Sequence, residues 1–94
     1  PNGKVTAVIG MMKDKDVDGY LSIIAPHLNK IITTTPDNPR SMPADELKHL
    51  AQKYCNDVIA VDSSNEAVAL AKQDKNFKLV CGSFYLAREV RNLI

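Results

Sequence analysis

Three short stretches of the chain hold side chains that could do chemistry, and each also has a plainer reading. The first is Gly10-Met11-Met12-Lys13-Asp14-Lys15-Asp16. Its two lysines could hold a carboxylate or phosphate, and its aspartates could orient the lysines or accept an ammonium. The same residues would also make a solvated charged turn. The second is Thr33-Thr34-Thr35-Pro36-Asp37-Asn38-Pro39-Arg40-Ser41. Two prolines stiffen it, Asp37 and Asn38 suit turn positions, and Arg40 is presented from a constrained backbone. A guanidinium fork on a rigid loop suits bidentate recognition of a carboxylate, although a proline-punctuated connection needs no more than these residues. The third is Cys81-Gly82-Ser83-Phe84. Backbone N–H groups at a helix start there, with the Ser83 hydroxyl, would form an anion site, and a simple serine N-cap explains the same residues.

Other reactive side chains are ordinary. His27 and His49 are far apart and sit in no ligand-spaced motif. His49 and Cys55 do not resemble a zinc pair. Cys81 reads as a small core residue of a strand, and the Met11-Met12 pair as a packing element. There is no G-x-x-x-x-G-K-[ST] phosphate loop and no G-x-G-x-x-G fingerprint, so nothing here binds a nucleotide by a recognisable motif. Ser83 is not a nucleophile elbow, because the flanking G-x-S-x-G pattern is missing.

The elements that must position these stretches follow from hydropathy. Strand-like runs occupy Lys4 to Gly10, Lys30 to Thr35, Asp57 to Val61 and Phe77 to Gly82. The first and third are nearly continuous in apolar residues, as expected of strands covered on both faces. Between them, Val17, Tyr20, Leu21, Ile24 and Leu28 form one helical stripe, which Pro26 ends or distorts. Leu47, Leu50, Ala51 and Tyr54 repeat the pattern, with Pro43 in a first-turn position. Ser63 and Glu66 have capping-box spacing ahead of Ala67, Val68, Leu70 and Ala71. A last helix from about Phe84 would carry Leu86, Val90 and Leu93 inward. Strands alternating with helices imply right-handed crossovers, hence an α/β fold: a three-layer α/β/α sandwich around a mainly parallel, Rossmann-like sheet. Ligands of such sheets bind beyond the carboxyl ends of the strands, here the loops Gly10 to Asp16, Thr35 to Pro43, Asp62 to Asn65 and Gly82 to Phe84, so all three stretches fall there.

Composition bounds the rest. Ninety-four residues make one domain, and 45% hydrophobic with 24% charged residues is ordinary for a globular protein. A net charge of +1 argues against nucleic acid as the main partner. No apolar run approaches the ~20 residues of a membrane span. Two cysteines are too few for a disulfide framework and point to a reducing cytoplasm. The start at Pro1, almost directly on a strand, reads as a piece of something longer.

Taken in order, V-I-G-M-M-K-D-K-D-V, T-P-D-N-P-R-S and V-C-G-S-F-Y-L-A-R-E-V-R resemble the C-terminal domain of folylpolyglutamate synthase/dihydrofolate synthase, of the Mur ligase superfamily. The resemblance covers nearly the whole chain, so residues 1–94 are expected to be a Mur ligase-type C-terminal domain within a three-domain enzyme. It implies four strands in the order 4-1-2-3. It also implies ATP and magnesium, bound mainly outside this stretch on an N-terminal ATPase domain of the same chain. The reaction implied turns a folate or dihydropteroate carboxylate into an acyl phosphate, which the amine of L-glutamate attacks. The D-G-A-H-N-P segment that usually opens the domain and touches the nucleotide is absent.

Residue by residue, the resemblance puts Lys15 where superfamily members place a cation near the incoming amino acid. It puts Asn38 and Arg40 on the D-N-P-R motif that reads the amino acid in the diaminopimelate-adding ligase. Ser83 falls where the glutamate-adding Mur ligase turns a serine toward its substrate carboxylate. Lys15, Asn38, Arg40 and Ser83 are thus expected to bind substrate, with Asp37 shaping the loop. The isolated piece is expected to be inert, with no catalytic residue of its own. Two alternatives compete: a receiver-like signalling module using Asp14, Asp16 and Asp62, and a stand-alone amino-acid-binding module.

Overall fold

A computed structural model describes residues 5–73 and the backbone of residues 77–82. Among these, four strands alternate with three helices: β1 (Thr6–Gly10), α1 (Val17–Ile24), β2 (Lys30–Thr35), α2 (Ala44–Ala51), β3 (Val58–Ser63), α3 (Ser64–Lys72) and β4 (Phe77–Gly82). The strands hydrogen-bond in the order β3-β2-β1-β4, and every pairing is parallel. The winding direction therefore reverses between β1 and β4, where Gly10 pairs with Gly82.

Side chains on a strand alternate between its two faces, and the apolar residues of β1 and β2 divide accordingly. Ala7, Ile9 and Ile31 join Val17 and Leu21 of α1 and Leu47 and Ala51 of α2 in one core. Val8 and Ile32 join Ala67, Val68 and Ala71 of α3 in a second core on the other face. The result is three layers with β1 wholly buried. Met11 and Met12 are buried too, as packing residues.

Several local expectations shift. β3 is not covered on both faces: Val58 is buried, but Ile59, Ala60 and Val61 are only half-buried. Among the described residues it is an edge strand, paired with β2 alone. Its apolar run reflects the sheet interior at one end only. Pro26 does stop α1, since the chain tightens into a 3₁₀ turn, Ala25–His27, that carries the proline in its first positions. Pro43 is the N-cap of α2 rather than a residue of its first turn.

Tyr54, placed by its spacing on a helical stripe, is 37% exposed. α2 ends at Ala51, so Tyr54 leaves the helical phase. Its hydroxyl donates to Asp18 Oδ1 at 3.1 Å, beside an ion pair of 3.5 Å between Lys53 Nζ and the same oxygen. That hydrogen bond to a carboxylate raises the Tyr54 pKa above the ordinary tyrosine value. Cys55 is a buried free thiol. The helix expected from Phe84, and the side chain of Cys81, lie outside the described residues.

Candidate functional site

The sheet order sets the loops after β1 and β2 side by side at the carboxyl edge, and main-chain hydrogen bonds then join them. Lys13 N–H donates to the Arg40 carbonyl at 2.8 Å, and Met42 N–H donates to the Met11 carbonyl at 2.8 Å. Between these bonds Met12 and Ser41 face each other as an isolated antiparallel bridge. A short two-stranded seam thus fuses the lysine loop to the D-N-P-R loop. Because the seam uses only backbone, it leaves the side chains of Lys13, Lys15 and Arg40 exposed at the rim.

Within the second loop the turn closes on itself. Ser41 N–H donates to the Asn38 carbonyl at 3.0 Å, and Arg40 N–H donates to Asn38 Oδ1 at 2.9 Å. Asn38 therefore shapes the loop, as its side-chain oxygen takes the Arg40 amide in an Asx-type turn. The buried Ser41 hydroxyl donates to the Pro36 carbonyl at 2.6 Å and ties the two ends of the turn together. Arg40 Nη1 lies 3.8 Å from Asp14 Oδ2, with the two side chains 70% and 54% exposed.

The aspartates of the first loop divide their work. Asp14 faces Arg40. Among the described residues Asp16 pairs with no lysine. It is the N-cap of α1, its Oδ1 accepting from Gly19 N–H at 3.0 Å. A side chain on residue 19 would collide with the Asp16 carboxylate, so glycine there makes room for the cap. The sequence signal was present, in an aspartate just ahead of an apolar helical stripe.

Lys15, Asn38 and Arg40 are thus carried on two loops that the fold brings into one unit. Ser83 lies outside the described residues, one position beyond the Gly82 that pairs with Gly10.

A neighbouring cleft of about 510 Å³ opens between the ends of β2 and β3, lined by Thr35, Pro36, Asp37, Asp62, Ser63, Ser64 and Asn65. Its walls are held by side chains. Thr35 Oγ1 donates to Asp62 Oδ1 at 2.6 Å and accepts from Ala44 N–H at 2.9 Å. Thr34 Oγ1 donates to the Asp62 carbonyl at 3.0 Å, and Ser63 Oγ accepts from Glu66 N–H at 3.3 Å as the cap of α3. Sequence reasoning put Asp62 to Asn65 at the ligand-binding edge and read Ser63 and Glu66 as a cap, but gave that loop no site. The cleft's signal was the Thr-Thr-Thr-Pro run opposite Asp-Ser-Ser-Asn. Neither Lys15, Asn38 nor Arg40 lines it. A second cleft, around Pro26, Asn29, Tyr54 and Asp57, lies at the opposite, amino-terminal rim.

The carboxylates required by a receiver-like pocket are engaged separately, Asp14 with Arg40, Asp16 in a helix cap and Asp62 with Thr35. Among the described residues no group of three or more His, Cys, Asp or Glu side chains could hold a metal ion. Also among the described residues, no helix is long and apolar enough to cross a membrane.

The profile of the "Mur ligase, glutamate ligase domain" family matches residues 1–84. The chain is 35% identical over 94 residues to the dihydrofolate synthase/folylpolyglutamate synthase of Escherichia coli, covering 99% of itself and 22% of that relative. The fold superposes on E. coli FolC in complex with DHPP and ADP with a TM-score of 0.87, at 30% identity over 99% of this chain and 22% of that one. A bifunctional folylpolyglutamate synthase/dihydrofolate synthase from Yersinia pestis, complexed with AMPPNP and a Mn ion, superposes with a TM-score of 0.78 at 27% identity, over 97% of this chain and 22% of that one. The chain therefore spans about a fifth of the length of these relatives.

Proposed function

The chain belongs to the glutamate ligase domain family of the Mur ligases, and from that premise we propose that it presents L-glutamate to an acyl phosphate within an ATP-dependent folylpolyglutamate/dihydrofolate synthase. The observation that carries this reading is the backbone seam between the lysine loop and the D-N-P-R loop. It holds three cationic side chains at one rim of the sheet, and among the described residues none of their side-chain donors is bonded to main chain. A dicarboxylate with one amine suits such a rim. Arg40 would grip a carboxylate as a fork and Lys15 would supply a point charge. Asn38 would fix the backbone that carries Arg40, and Ser83 would complete the contact from the end of β4.

The domain's contribution is positioning. With both carboxylates held, the uncharged amine of glutamate faces the acyl phosphate of a folate or dihydropteroate substrate. Its nitrogen forms the C–N bond, the C–O bond to phosphate breaks, phosphate leaves, and the amine proton is lost to solvent or a base on another domain. Holding the amine in place makes the attack effectively intramolecular. Closure of this domain on its ATPase neighbour would keep water from the acyl phosphate. The 94-residue chain by itself then has no ligase activity, and ATP-dependent amide formation by it alone would overturn that.

Amide chemical-shift titration tests the site. L-glutamate is expected to move the resonances of residues 13–15 and 38–41, and L-alanine to move them far less. Shifts confined to other loops, or equal for the two amino acids, would sink the assignment.

A further inference from the structure

Ser41 belongs to neither set of cationic contacts, yet two of the constraints on Arg40 meet at it. Its hydroxyl is buried, with the residue 6% exposed, and donates to the Pro36 carbonyl at 2.6 Å. Its N–H closes the turn onto the Asn38 carbonyl at 3.0 Å. Its backbone stands opposite Met12 in the bridge, between the bonds from Lys13 N–H to Arg40 and from Met42 N–H to Met11. A surface turn does not need a buried serine. Arg40, one residue earlier, is mostly solvent-exposed, and its exposed contact with Asp14 at 3.8 Å is too weak to fix it.

We propose that Ser41 is a positioning residue for amino-acid binding: its hydroxyl clasps the Pro36–Ser41 turn so that Arg40 and the lysine loop face the substrate in a fixed register. The proposal rests on the reading of Arg40 as a glutamate contact. Without the hydroxyl, the seam's backbone bonds remain available but the turn can open at the Pro36 end, so Arg40 samples orientations that miss the carboxylate. Binding then weakens for glutamate alone, and equally in the ground and transition states, which moves KM and leaves kcat.

The test is steady-state kinetics of the full-length enzyme carrying Ser41→Ala, Ser41→Thr and Arg40→Ala, with L-glutamate, ATP and the folate substrate varied in turn. Ser41→Ala is expected to raise the glutamate KM about five- to tenfold, the scale of one lost buried hydrogen bond. The kcat and the KM values for ATP and folate should stay within about twofold. Ser41→Thr, which keeps the hydroxyl, should restore most of the loss. If Ser41→Ala does not yield folded enzyme, Ser41→Cys takes its place, with a weaker donor on a slightly larger side chain and a rise of the same selectivity.

A parallel rise in all three KM values, or a fall in kcat with unchanged glutamate KM, would overturn the positioning role. Should Arg40→Ala raise the glutamate KM while Ser41→Ala does not, this inference fails and the site stands. If Arg40→Ala leaves the glutamate KM unchanged, the reading of the site fails, and the role of Ser41 with it.

Discussion

Along one edge of the sheet, two neighbouring junctions are built from different parts of their residues. Between β1 and β2 the joint is main chain, with Lys13 N–H on the Arg40 carbonyl and Met42 N–H on the Met11 carbonyl. Between β2 and β3 the joint is side chain, with Thr35 linking Ala44 N–H to the Asp62 carboxylate and Thr34 reaching the Asp62 carbonyl. A backbone joint leaves its side chains available to a ligand. A side-chain joint uses its polar groups to hold the fold. On the proposed reading the first junction is the binding surface, although a recess of about 510 Å³ opens at the second. A recess and available side-chain donors point to different places here, and the chemistry decides.

The comparison predicts opposite phenotypes on its two sides, and the strongest probe is Arg40. In the full-length enzyme, Arg40→Ala is expected to raise the glutamate KM by about 10- to 100-fold, the range for a lost charge-assisted hydrogen bond, and to leave the melting temperature nearly unchanged. Thermal melts and glutamate saturation curves on the same preparation check both halves. A large fall in stability would mean that Arg40 is a structural residue, and the contrast between the junctions would collapse.

Thr35→Val gives the converse. It leaves the N–H of buried Ala44 without its acceptor and the Asp62 carboxylate without its donor. A loss of about 1–3 kcal/mol in stability is expected, read from denaturant unfolding, with the glutamate KM within about twofold. A selective loss of glutamate binding would move the site into the cleft.

How far this edge could be read from sequence follows the same division. What is local and carried by side chains was legible. Ser63 as a cap with Glu66 three residues on, Pro26 as a helix stop, and β1 as a strand buried on both faces all follow from residue type and spacing. The half-exposure of β3 was not, because Val58 to Val61 has the same apolar pattern whether the strand is central or at an edge. Strand order is set by contacts distant in sequence. The seam left no trace either, since backbone hydrogen bonds between Met11–Lys13 and Arg40–Met42 need no particular side chains. Tyr54 misled because an aromatic ring in helical phase is a core signal, and the phase ends when α2 stops at Ala51.

A smaller effect is expected at the cap beside the cleft. Ser63→Ala removes the acceptor of Glu66 N–H at the first turn of α3, which should cost about 1 kcal/mol of stability and lower the melting temperature by a few degrees. Glutamate kinetics should not respond. If they do, the start of α3 contributes to the binding surface and the two junctions act together.

The smallest effect, and the finest division of the comparison, is at Asp14. Among the described residues its carboxylate is the acidic group facing Arg40, at 3.8 Å and with both side chains more than half exposed. Solvent-exposed pairs of this kind contribute about 0.2–1 kcal/mol at most and weaken with salt. Asp14→Asn should therefore leave the melting temperature nearly unchanged and shift the glutamate KM by less than about fivefold. The direction is informative: a carboxylate facing Arg40 competes with a substrate carboxylate for the same donors, so its removal should lower KM, and the difference should shrink as ionic strength rises. A rise in KM that persists at high salt would instead make Asp14 part of what holds Arg40 in place. The backbone seam would then not be sufficient to present it, and the distinction between a junction that frees its side chains and one that uses them would need redrawing at this residue.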